Sequence, residues 1–571
     1  MPELPPVLVM WLGLVILPFL PRDIRPKAFI LFPLAALVMI LITPVGAQQT
    51  FSLLGYELVL LKVTQLSRVF GIIFALIAFM GGIYSMHMKE TGQQISALIY
   101  SGGALGVTFS GDFFTVFIFW ELMAIGSTYL IWARRTQESR RAGMRYLLMH
   151  LFGGSLLMAG IIMQVHASGT VLISAFEPGE TLAAWFILAG VCVNAAVVPL
   201  HAWLPDSYPK ATVTGAVFLS AFTTKTAVYV LASLFPGWPI LLILGVTMTL
   251  YGVTFAFLAN DIREILGYHI VSQVGYMVAG VGIGTDLAIN GTTAHAFSHI
   301  LYKALLFMGT GAVLYSAGTS KLHELGALAS RMKWVLFFYM VAALSISGAP
   351  LFNGFISKAI IVEAAGQSHL YAAKMLLILA SVGTFLSVGI KLPYYTWFHT
   401  AKKEHTLKPV PGNMMVAMAA TSFLCIFYGI FPEALYMELP YAMDYSPYTI
   451  PHLVEVLQIL TMTFIAFWII REKLTPKNKI SLDVDWFYRM ATPGVRYAVV
   501  GGINRIYEVC EVRVFDFAHA VGRLARHPVE VLKTFSYPSR DYDQDLDRVP
   551  LSTPMFLTVL ASVLVFVLVV W

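Results

Sequence analysis

Three titratable side chains share one spacing in the stretch TAHAFSHILYKALLFMG, where His295, His299 and Lys303 recur every four residues. That spacing places them on one face of a helix. Histidine titrates near neutrality and both donates and accepts protons, so a stripe that leads to a lysine suits a proton relay. Two histidines four residues apart also resemble a zinc pair, but the stretch lacks HExxH and a carboxylate or cysteine at ligand spacing. The relay is the favoured interpretation, and no metal site is predicted.

Two opposite charges stand inside separate apolar runs. Glu121 lies in FTVFIFWELMAIGS, and Lys225 lies in SAFTTKTAVYVL. A lysine at the centre of a lipid-spanning helix costs roughly 2.5–3.5 kcal/mol on insertion scales. A buried carboxylate must likewise be protonated or find a cation. We therefore predict that the two side chains pair and take part in ion movement, with a purely structural ion pair as the alternative.

Four further ionisable residues carry weaker predictions. Lys358, in GFISKAIIVEAA, either carries the proton at the end of the path or extends its ammonium to the nearer membrane interface. His269, in ILGYHIVSQVGYM, could join the relay or hold a water molecule. His150 and Lys391 are weaker candidates because both lie near predicted helix ends, where polar groups are cheap.

Prolines interrupt two of the apolar segments near these charges. One segment contains AVVPLHAWLPD, with Pro199 and Pro205, and the other contains ISGAPLFNGFISKA, with Pro350. A single proline kink is common in membrane helices for packing reasons. Paired broken helices at matching places in two halves instead favour inverted repeats with a polar transport site at the breaks.

Composition defines the broad class. The chain has 571 residues, of which 58% are hydrophobic and 12% charged, and apolar segments of membrane-spanning length recur from end to end. The sequence therefore predicts an all-α polytopic membrane protein. Its net charge of +6 reflects basic loops and does not argue for a nucleic acid partner. Cys192, Cys425 and Cys510 lie far apart without CxxC or CxxCH, so we expect no cofactor and no catalytic centre in the chain.

We predict about 16 membrane crossings, with boundaries loose by several residues. The predicted spans are 5–21, 28–46, 69–87, 93–110, 112–132, 143–165, 183–203, 212–233, 238–258, 265–285, 293–317, 335–364, 372–397, 413–431, 452–471 and 554–571. Basic residues collect in loops after odd-numbered spans, and loops after even-numbered spans carry few, chiefly Lys62 and Arg68. Both termini should therefore face outward. The first span lacks a positive n-region and a cleavage site, so it is predicted to be a retained helix.

One long polar stretch precedes the last predicted span. Its middle, INRIYEVCEVRVFDFAHAVGRL, alternates apolar and charged residues with a helical period. The apolar face consists of Ile503, Ile506, Cys510, Val514, Phe517, Val521 and Leu524. We predict an amphipathic helix that lies along the cytoplasmic surface, on lipid or on the flank of protein.

Five stretches of the sequence resemble one known family: FWEL, PLHAWLPDSYPKA, TTKTAVYVL, HAFSHILYKALLF and GFISK. They resemble the antiporter-like membrane subunits shared by respiratory complex I, Mrp-type cation/proton antiporters and membrane-bound hydrogenases, with the Mrp D-type and hydrogenase branch most similar. The likeness spans about residues 69–400. It implies two inverted five-helix repeats around a central polar axis, and a chain that works inside a larger complex.

The resemblance also implies roles for individual residues. Glu121 matches the family's fifth-helix glutamate and Lys225 its eighth-helix lysine. The stripe 295–303 matches the eleventh-helix relay, and Lys358 the twelfth-helix terminal lysine. Many relatives place a lysine in the seventh helix where this chain has Asn194, which can hydrogen-bond but cannot carry the countercharge. Lys225 is therefore expected to pair with Glu121 directly. The C-terminal helix resembles the family's lateral-helix extension.

The predicted organisation has six parts. They are residues 1–92 as N-terminal helices, 93–236 and 237–400 as the two antiporter-like repeats, 401–471 as C-terminal helices, 472–553 as the amphipathic lateral segment and 554–571 as the last transmembrane helix. The expected location is the cell inner (plasma) membrane, with other membrane subunits of a complex I-like, hydrogenase-like or Mrp-type assembly as partners.

Three classes of function fit these features. The first is an ion-translocating subunit of a redox-driven pump or of a cation/proton antiporter, moving protons with or without sodium. The second is a membrane enzyme acting on a lipid or quinone, for which we find no nucleophile, metal set or redox centre in the sequence. The third is a scaffold whose buried charges only hold helices together. The residues alone do not choose among a pump, an antiporter and a carbon-uptake system.

Overall fold

The computed structural model describes residues 4–53, 55–179, 181–400, 405–477, 482–526 and 555–562. The chain divides into two compact units, Met1–Asp483 and Val484–Trp571. In the described residues the fold is helical apart from one antiparallel hairpin, formed by β1 (Gln48–Leu53) and β2 (Tyr56–Lys62). The sequence predicted only a loop between the second and third spans, and the hairpin occupies that place. Its register pairs Leu53 with Tyr56 and shifts between Gln49 and Thr50.

The first half of the larger unit contains eleven helices in the described residues. They are α1 (Pro6–Ile16), α2 (Arg25–Phe29), α3 (Leu31–Ile42), α4 (Gln65–Tyr84), α5 (Thr91–Phe109), α6 (Phe113–Trp132), α7 (Gln137–Ser168), α8 (Leu182–Asn194), α9 (Trp203–Ser207), α10 (Gly215–Ala221) and α11 (Thr223–Leu234). Side-chain caps mark several of the starts. Thr64 and Ser67 form a capping box at α4, and the Asp112 carboxylate accepts from the Thr115 N–H at α6.

The second half of the larger unit continues the helical bundle. Its helices are α12 (Pro239–Leu258), α13 (Ile262–Ile283), α14 (Asp286–Ala317), α15 (Lys333–Ser347), α16 (Asn353–Gln367), α17 (Tyr371–Thr384), α18 (Gly412–Ile430), α19 (Glu433–Tyr436) and α20 (Ile450–Ile470). The helix α17 continues with π-helical geometry through Phe385–Lys391 and Tyr394–Phe398. The helices α13 and α14 each end at a left-handed glycine, Gly284 and Gly318, which needs no Cβ there.

The smaller unit consists of α21 (Asp485–Val495), a π-helical turn at Arg496–Gly501 and α22 (Gly502–Arg526), with a further helical stretch at 555–562. The predicted amphipathic stretch therefore forms a helix. Most of the last predicted span, and residues 478–481 and 527–553 of the predicted lateral segment, lie outside the described residues.

Helices long enough to span a membrane occur throughout the larger unit. Eleven helices among the described residues are long and apolar enough to cross a bilayer, and shorter apolar helices lie at Pro6–Phe19, Leu182–Asn194 and Lys333–Ser347. Two of the shorter helices adjoin the predicted breaks, so interruption explains why they fall below spanning length. The chain is a multi-pass helical membrane protein. The number of 16 crossings, the inverted repeats and the six-part organisation remain predictions.

The share of buried residues differs between the membrane-spanning helices and shows which of them lie inside the bundle. Every residue in the apolar window of α13 is buried, as are 94% of the window across α10–α11 and 83% of that in α14, against 11% for the window that begins at Ile450. The most enclosed helices are thus those that carry Lys225, His269 and the histidine stripe. Buried polar groups cost free energy unless they are paired, so the core is where these side chains need an explanation.

Candidate functional site

The stripe on α14 is fully buried, with His295, His299 and Lys303 at 0% exposure. The two imidazole ring centroids lie 6.3 Å apart. His295 Nδ1 lies 3.2 Å from the Ser357 hydroxyl of α16, whereas both nitrogens of His299 and the Lys303 ammonium have no hydrogen-bond partner among the described residues. The sequence prediction of one titratable helix face is confirmed, and the face points into the bundle.

Lys225 sits at a helix interruption that the sequence analysis missed. Between α10 and α11 the helix is interrupted at Phe222, whose φ of −93° and ψ of −68° remain in the right-handed region. Helix ends leave carbonyls without intrahelical partners. The Lys225 ammonium donates to the Ser220 carbonyl at 2.6 Å and to the Thr224 hydroxyl at 3.0 Å. The break therefore supplies acceptors for a lysine that is completely buried. The only advance signal was the cluster of polar residues in SAFTTKT.

Lys358 is held in a similar way across a predicted break. The helix stops at α15 and resumes at α16, with Pro350 in the turn between them. The Lys358 ammonium donates to the Ile346 carbonyl at 2.9 Å and to the Ser381 hydroxyl at 3.3 Å, and lies 5.3 Å from the centroid of the Tyr276 ring. Lys358 is 6% exposed. Its ammonium is therefore turned into the bundle, and the alternative of an interfacial lysine is wrong for this structure.

A single glycine permits the α15–α16 break. A Cβ at Gly354 would lie 1.7 Å from the Ser345 carbonyl oxygen. No side chain fits at that distance. The predicted interruption thus depends on backbone contact as well as on Pro350.

A cavity of about 480 Å³ adjoins Lys358. Its lining combines apolar residues of α16, α17 and α20 with five titratable side chains besides Lys358 and Lys374. These are Glu363, Asp444, Tyr445, His452 and Glu455. Lys358 therefore borders a cavity that contains other ionisable groups, although the ammonium itself is bonded to protein atoms.

His269 connects α13 to the π-helical part of α17. Its Nε2 lies 2.6 Å from the Ser387 hydroxyl. One turn later, the Gln273 amide donates to the Thr384 hydroxyl at 3.4 Å and accepts from the Tyr302 hydroxyl at 3.4 Å. The described contacts thus place His269 beside a row of polar groups that reaches α14.

Glu121 on α6 lies against α7. A Cβ at Gly154 would be 1.9 Å from Glu121 Oε1, so the absence of a side chain there makes room for the carboxylate. Glu121 Oε1 is buried without a hydrogen-bond partner among the described residues. Within that part of the chain, no ion pair joins Glu121 to Lys225. The expected direct pair is not formed in this structure, where the Lys225 ammonium donates to the Ser220 carbonyl and the Thr224 hydroxyl instead.

The first predicted break separates α8 from α9. Asn194 ends α8, and its side-chain oxygen is buried without a partner among the described residues. Pro199 lies in the turn between the helices and Pro205 lies within α9. The Trp203 indole donates to the Val193 carbonyl at 2.9 Å, which satisfies a carbonyl in the last turn of α8.

Two weaker candidates have local structural roles. His150 Nδ1 lies 2.8 Å from the Tyr146 carbonyl, and its ring packs 4.6 Å from Trp203. The Lys391 ammonium donates to the Ala259 carbonyl at 2.9 Å, just beyond the end of α12. The Lys391 interaction satisfies a backbone group near a helix end, as the sequence analysis expected. His150 instead lies inside α7, so the expected helix-end position is wrong for His150.

A buried hydroxyl cluster near Lys225 was not predicted. The Tyr100 hydroxyl lies 2.6 Å from the Thr223 hydroxyl and accepts from the Thr223 N–H at 3.0 Å. The Tyr146 hydroxyl lies 3.2 Å from the same Thr223 oxygen and donates to Ser127 at 2.9 Å. These groups satisfy the backbone at the α10–α11 break from the side opposite Lys225. Tyrosines inside apolar helices were the available signal.

Charged residues line the loop ends of the same helices. Arg145 donates to Asp206 through two bonds of 2.7 and 3.0 Å, and Lys210 donates to Asp206 at 2.6 Å. Burial raises the pKa of the Asp206 carboxyl, but the two cations outweigh burial and hold the pKa below its usual value. At the start of α13, Arg263 donates to the carbonyls of Pro209, Ala211 and Thr212. These contacts fix the chain that enters α10.

Asp483, at the end of the segment that follows α20, is a second unpredicted site. It is 8% exposed. Its carboxylate accepts from the hydroxyls of Tyr251 and Tyr268, the latter at 2.7 Å, and Oδ1 lies 3.3 Å from His201 Nε2. Burial raises the pKa of the Asp483 carboxyl, but these partners outweigh burial and lower the pKa to about 2. Nothing in the local sequence around SLDVDW signalled this contact.

No group of three or more His, Cys, Asp or Glu side chains with metal-ligand geometry occurs among the described residues. The His295–His299 pair accordingly has no further ligand from that part of the chain. The arrangement can hold and pass protons between lysines, histidines and hydroxyls.

The fold and the buried lysines define a class, the antiporter-like membrane subunits. The transmembrane family described as NADH:quinone oxidoreductase/Mrp antiporter matches residues 110–387. A D-type subunit of the Na(+)/H(+) antiporter of Alkalihalophilus pseudofirmus is 30% identical over 355 residues, which are 58% of this chain and 71% of that protein. The chain belongs to the NADH:quinone oxidoreductase/Mrp antiporter family. The family recognised from the sequence motifs is thus confirmed.

Two further comparisons extend the likeness. Hydrogenase-4 component B of Escherichia coli is 26% identical over 413 residues, covering 64% of this chain and 61% of that protein. A chain in the structure of the Mrp complex from a Dietzia species matches with a TM-score of 0.65 at 21% identity, over 81% of this chain and 97% of its own length. The structural match concerns the fold.

Proposed function

We propose that the chain is a proton-translocating, antiporter-like subunit of a multisubunit membrane complex. Protons would move through the buried series of Glu121, Lys225, the α14 stripe and Lys358, with sodium exchange as a second arm to test. Family membership supports this class of function, since relatives are named as a Na(+)/H(+) antiporter subunit and a hydrogenase component. The other subunits of such a complex are the expected partners.

The observation that carries the proposal is the environment of Lys303. It is fully buried on one of the most enclosed helices, with no hydrogen-bond partner for its ammonium among the described residues. A buried charge without partners is costly, so it persists only where it can be relieved. A structural ion pair has a partner by definition. The lack of one for Lys303 favours a group that gains and loses a proton over a scaffold charge.

The neighbouring charges supply the coupling. The charge of Lys225 acts on both His299 and Lys303. In this structure no ion pair joins Glu121 to Lys225 among the described residues, so the coupling requires a second arrangement in which the ionised carboxylate comes close enough to offset part of the Lys225 charge. When Glu121 is protonated, the uncompensated Lys225 charge disfavours a proton on the stripe. A change at Glu121 would thereby drive a proton along α14.

The second half of the path leads from the stripe to Lys358. His295 reaches the Ser357 hydroxyl, and Ser357 precedes Lys358 on α16. A hydroxyl can accept a proton from one side and donate one to the other. Lys358 borders the cavity of about 480 Å³. We assign this cavity as the space into which a proton leaves Lys358, or from which it enters.

The membrane setting follows from the same proposal. The chain would lie in the plasma membrane with both termini outward, because basic residues collect in the loops after odd-numbered spans. The paired interruptions α8–α9 and α15–α16 would mark equivalent positions of two inverted repeats. The amphipathic helix α22 would contact lipid or a neighbouring subunit.

The experiment is proton flux in vesicles that contain the purified complex. Lys303→Gln should abolish flux while the complex still assembles, because glutamine fills the space but carries no proton. Lys333→Gln is the matched control, since Lys333 is exposed. Running each variant in proton-only and sodium-containing buffers separates the two ions.

Wild-type flux in the Lys303→Gln complex would overturn the proposal and favour the scaffold. Loss of flux in both the Lys303 and the Lys333 variants would mean that the assay reports damage to the complex instead of loss of the relay. If proton flux requires sodium, the proposed activity becomes sodium/proton exchange and not proton translocation alone.

A further inference from the structure

Asp483 brings a negative charge from a connecting segment into the bundle. Its neighbour Leu482 is 64% exposed, whereas Asp483 is 8% exposed. A carboxylate leaves water at a cost of several kcal/mol unless donors replace its hydration. Here the hydroxyls of Tyr251 on α12 and Tyr268 on α13 donate to the carboxylate, and Nε2 of His201 in the α8–α9 turn lies 3.3 Å from it. Four parts of the chain meet at this one side chain.

His201 depends on this contact for its orientation. It is fully buried between α8 and α9, seven residues after Asn194 and two after Pro199. Its ring packs 4.6 Å from Tyr251. Neither of its nitrogens forms a further hydrogen bond among the described residues. The carboxylate 3.3 Å from Nε2 and the Tyr251 ring are therefore the contacts that orient the imidazole in the turn.

We propose that Asp483 is a positioning residue for ion translocation: it orients His201 and so holds the α8–α9 break in its working geometry. This inference rests on the proposed function. The tyrosine hydroxyls donate to the carboxylate, and the imidazole Nε2 lies 3.3 Å from the same side chain. The segment after α20 is thereby tied to a helix break that lies far from it in sequence.

Other charges surround this contact. Glu264, in the first turn of α13, interacts electrostatically with Asp483, and Lys210 and Asp206 act in turn on Glu264. Arg145 completes the group through its two bonds to Asp206. The contact thus lies among other charged side chains at the ends of α9 and α13.

The test is flux through vesicles containing the complex, with three substitutions. Asp483→Asn keeps the shape but removes the charge, and we expect flux to fall at least about tenfold, given how steeply transfer steps depend on positioning. Asp483→Glu keeps the charge and should restore part of the flux. Glu472→Gln, which neutralises an exposed carboxylate in the same segment, should leave flux unchanged. Wild-type flux in Asp483→Asn would overturn the inference.

A double substitution tests whether Asp483 acts through His201. If it does, His201→Gln with Asp483→Asn should lose no more flux than the larger single loss, because both remove one interaction. Losses that multiply would contradict the positioning role. If the Asp483 variants fail to assemble, Tyr268→Phe keeps the carboxylate and removes one donor. It should lower flux a few fold, and unchanged flux would contradict the inference.

Two readouts separate this inference from the proposed function. If Lys303→Gln keeps flux, the proposed function fails whatever Asp483 does. If Lys303→Gln loses flux and Asp483→Asn keeps it, the positioning role alone fails.

Discussion

Lys225 and Lys303 are both completely buried, yet their surroundings differ. Lys225 lies at the α10–α11 break and donates to the Ser220 carbonyl and the Thr224 hydroxyl. Lys303 lies in the middle of the uninterrupted α14, and among the described residues its ammonium has no partner. A broken helix exposes carbonyls that can hold a charge, and a continuous helix uses its carbonyls internally. The fold thus treats the two lysines differently.

This difference in surroundings suggests different roles for Lys225 and Lys303. Lys225 has acceptors that stabilise a standing positive charge. Lys303 has none from the described protein, so a standing charge there would be costly. Within the proposed function, the positive charge of Lys225 sets the electrostatic potential at the α14 stripe, and Lys303 gains and loses a proton. The following predictions test this division, from the largest expected effect to the smallest.

The first prediction concerns stability. Lys225→Met removes the donor to the Ser220 carbonyl and leaves that carbonyl buried, which should lower the free energy of unfolding by roughly 1–3 kcal/mol. Lys303→Met leaves no protein acceptor unpaired and should change it by less than about 1 kcal/mol. Denaturant or thermal unfolding in detergent measures both. Equal losses would show that the two lysines are held alike.

The second prediction concerns Glu121, the carboxylate that the sequence analysis expected to pair with Lys225. Gly154→Ala places a Cβ where Glu121 Oε1 now lies, 1.9 Å away, so the carboxylate must move. We expect flux to fall about tenfold, since displacement changes the field at Lys225. Gly153→Ala is the control on the same helix, because its Cβ would meet Val193 at 3.0 Å and not the carboxylate. Equal flux in the two variants would remove Glu121 from the coupling.

The third prediction is the smallest. Thr224→Val removes one acceptor of Lys225 and leaves the Ser220 carbonyl in place. One hydrogen bond to a charged group contributes about 1.5–3 kcal/mol at most, and the carbonyl should retain the ammonium. Flux should therefore fall only a few fold. Complete loss of flux would mean that the hydroxyl, and not the break, holds Lys225.

The sequence predicted the helical class, the family and the stripe on α14, because apolar length and a four-residue spacing are local properties. The breaks at Pro199 and Pro350 were equally visible. The α10–α11 interruption was not, since no proline or glycine marks Phe222. Contacts between distant segments were also hidden, including the bonds of Tyr100 with Thr223 and the burial of Asp483 beside His201. Such contacts depend on packing, which periodicity does not reveal.

Replacement of each lysine by arginine tests the division of labour most directly. Arginine remains protonated, so it can hold a standing charge but cannot release a proton. Because both lysines are fully buried, the larger arginine side chain meets a comparable steric constraint at each site. In proton-flux measurements on the reconstituted complex, Lys225→Arg should retain part of the flux and Lys303→Arg should retain none. Flux through Lys303→Arg equal to that of the unmodified complex would contradict the assignment of Lys303 as the group that changes its charge.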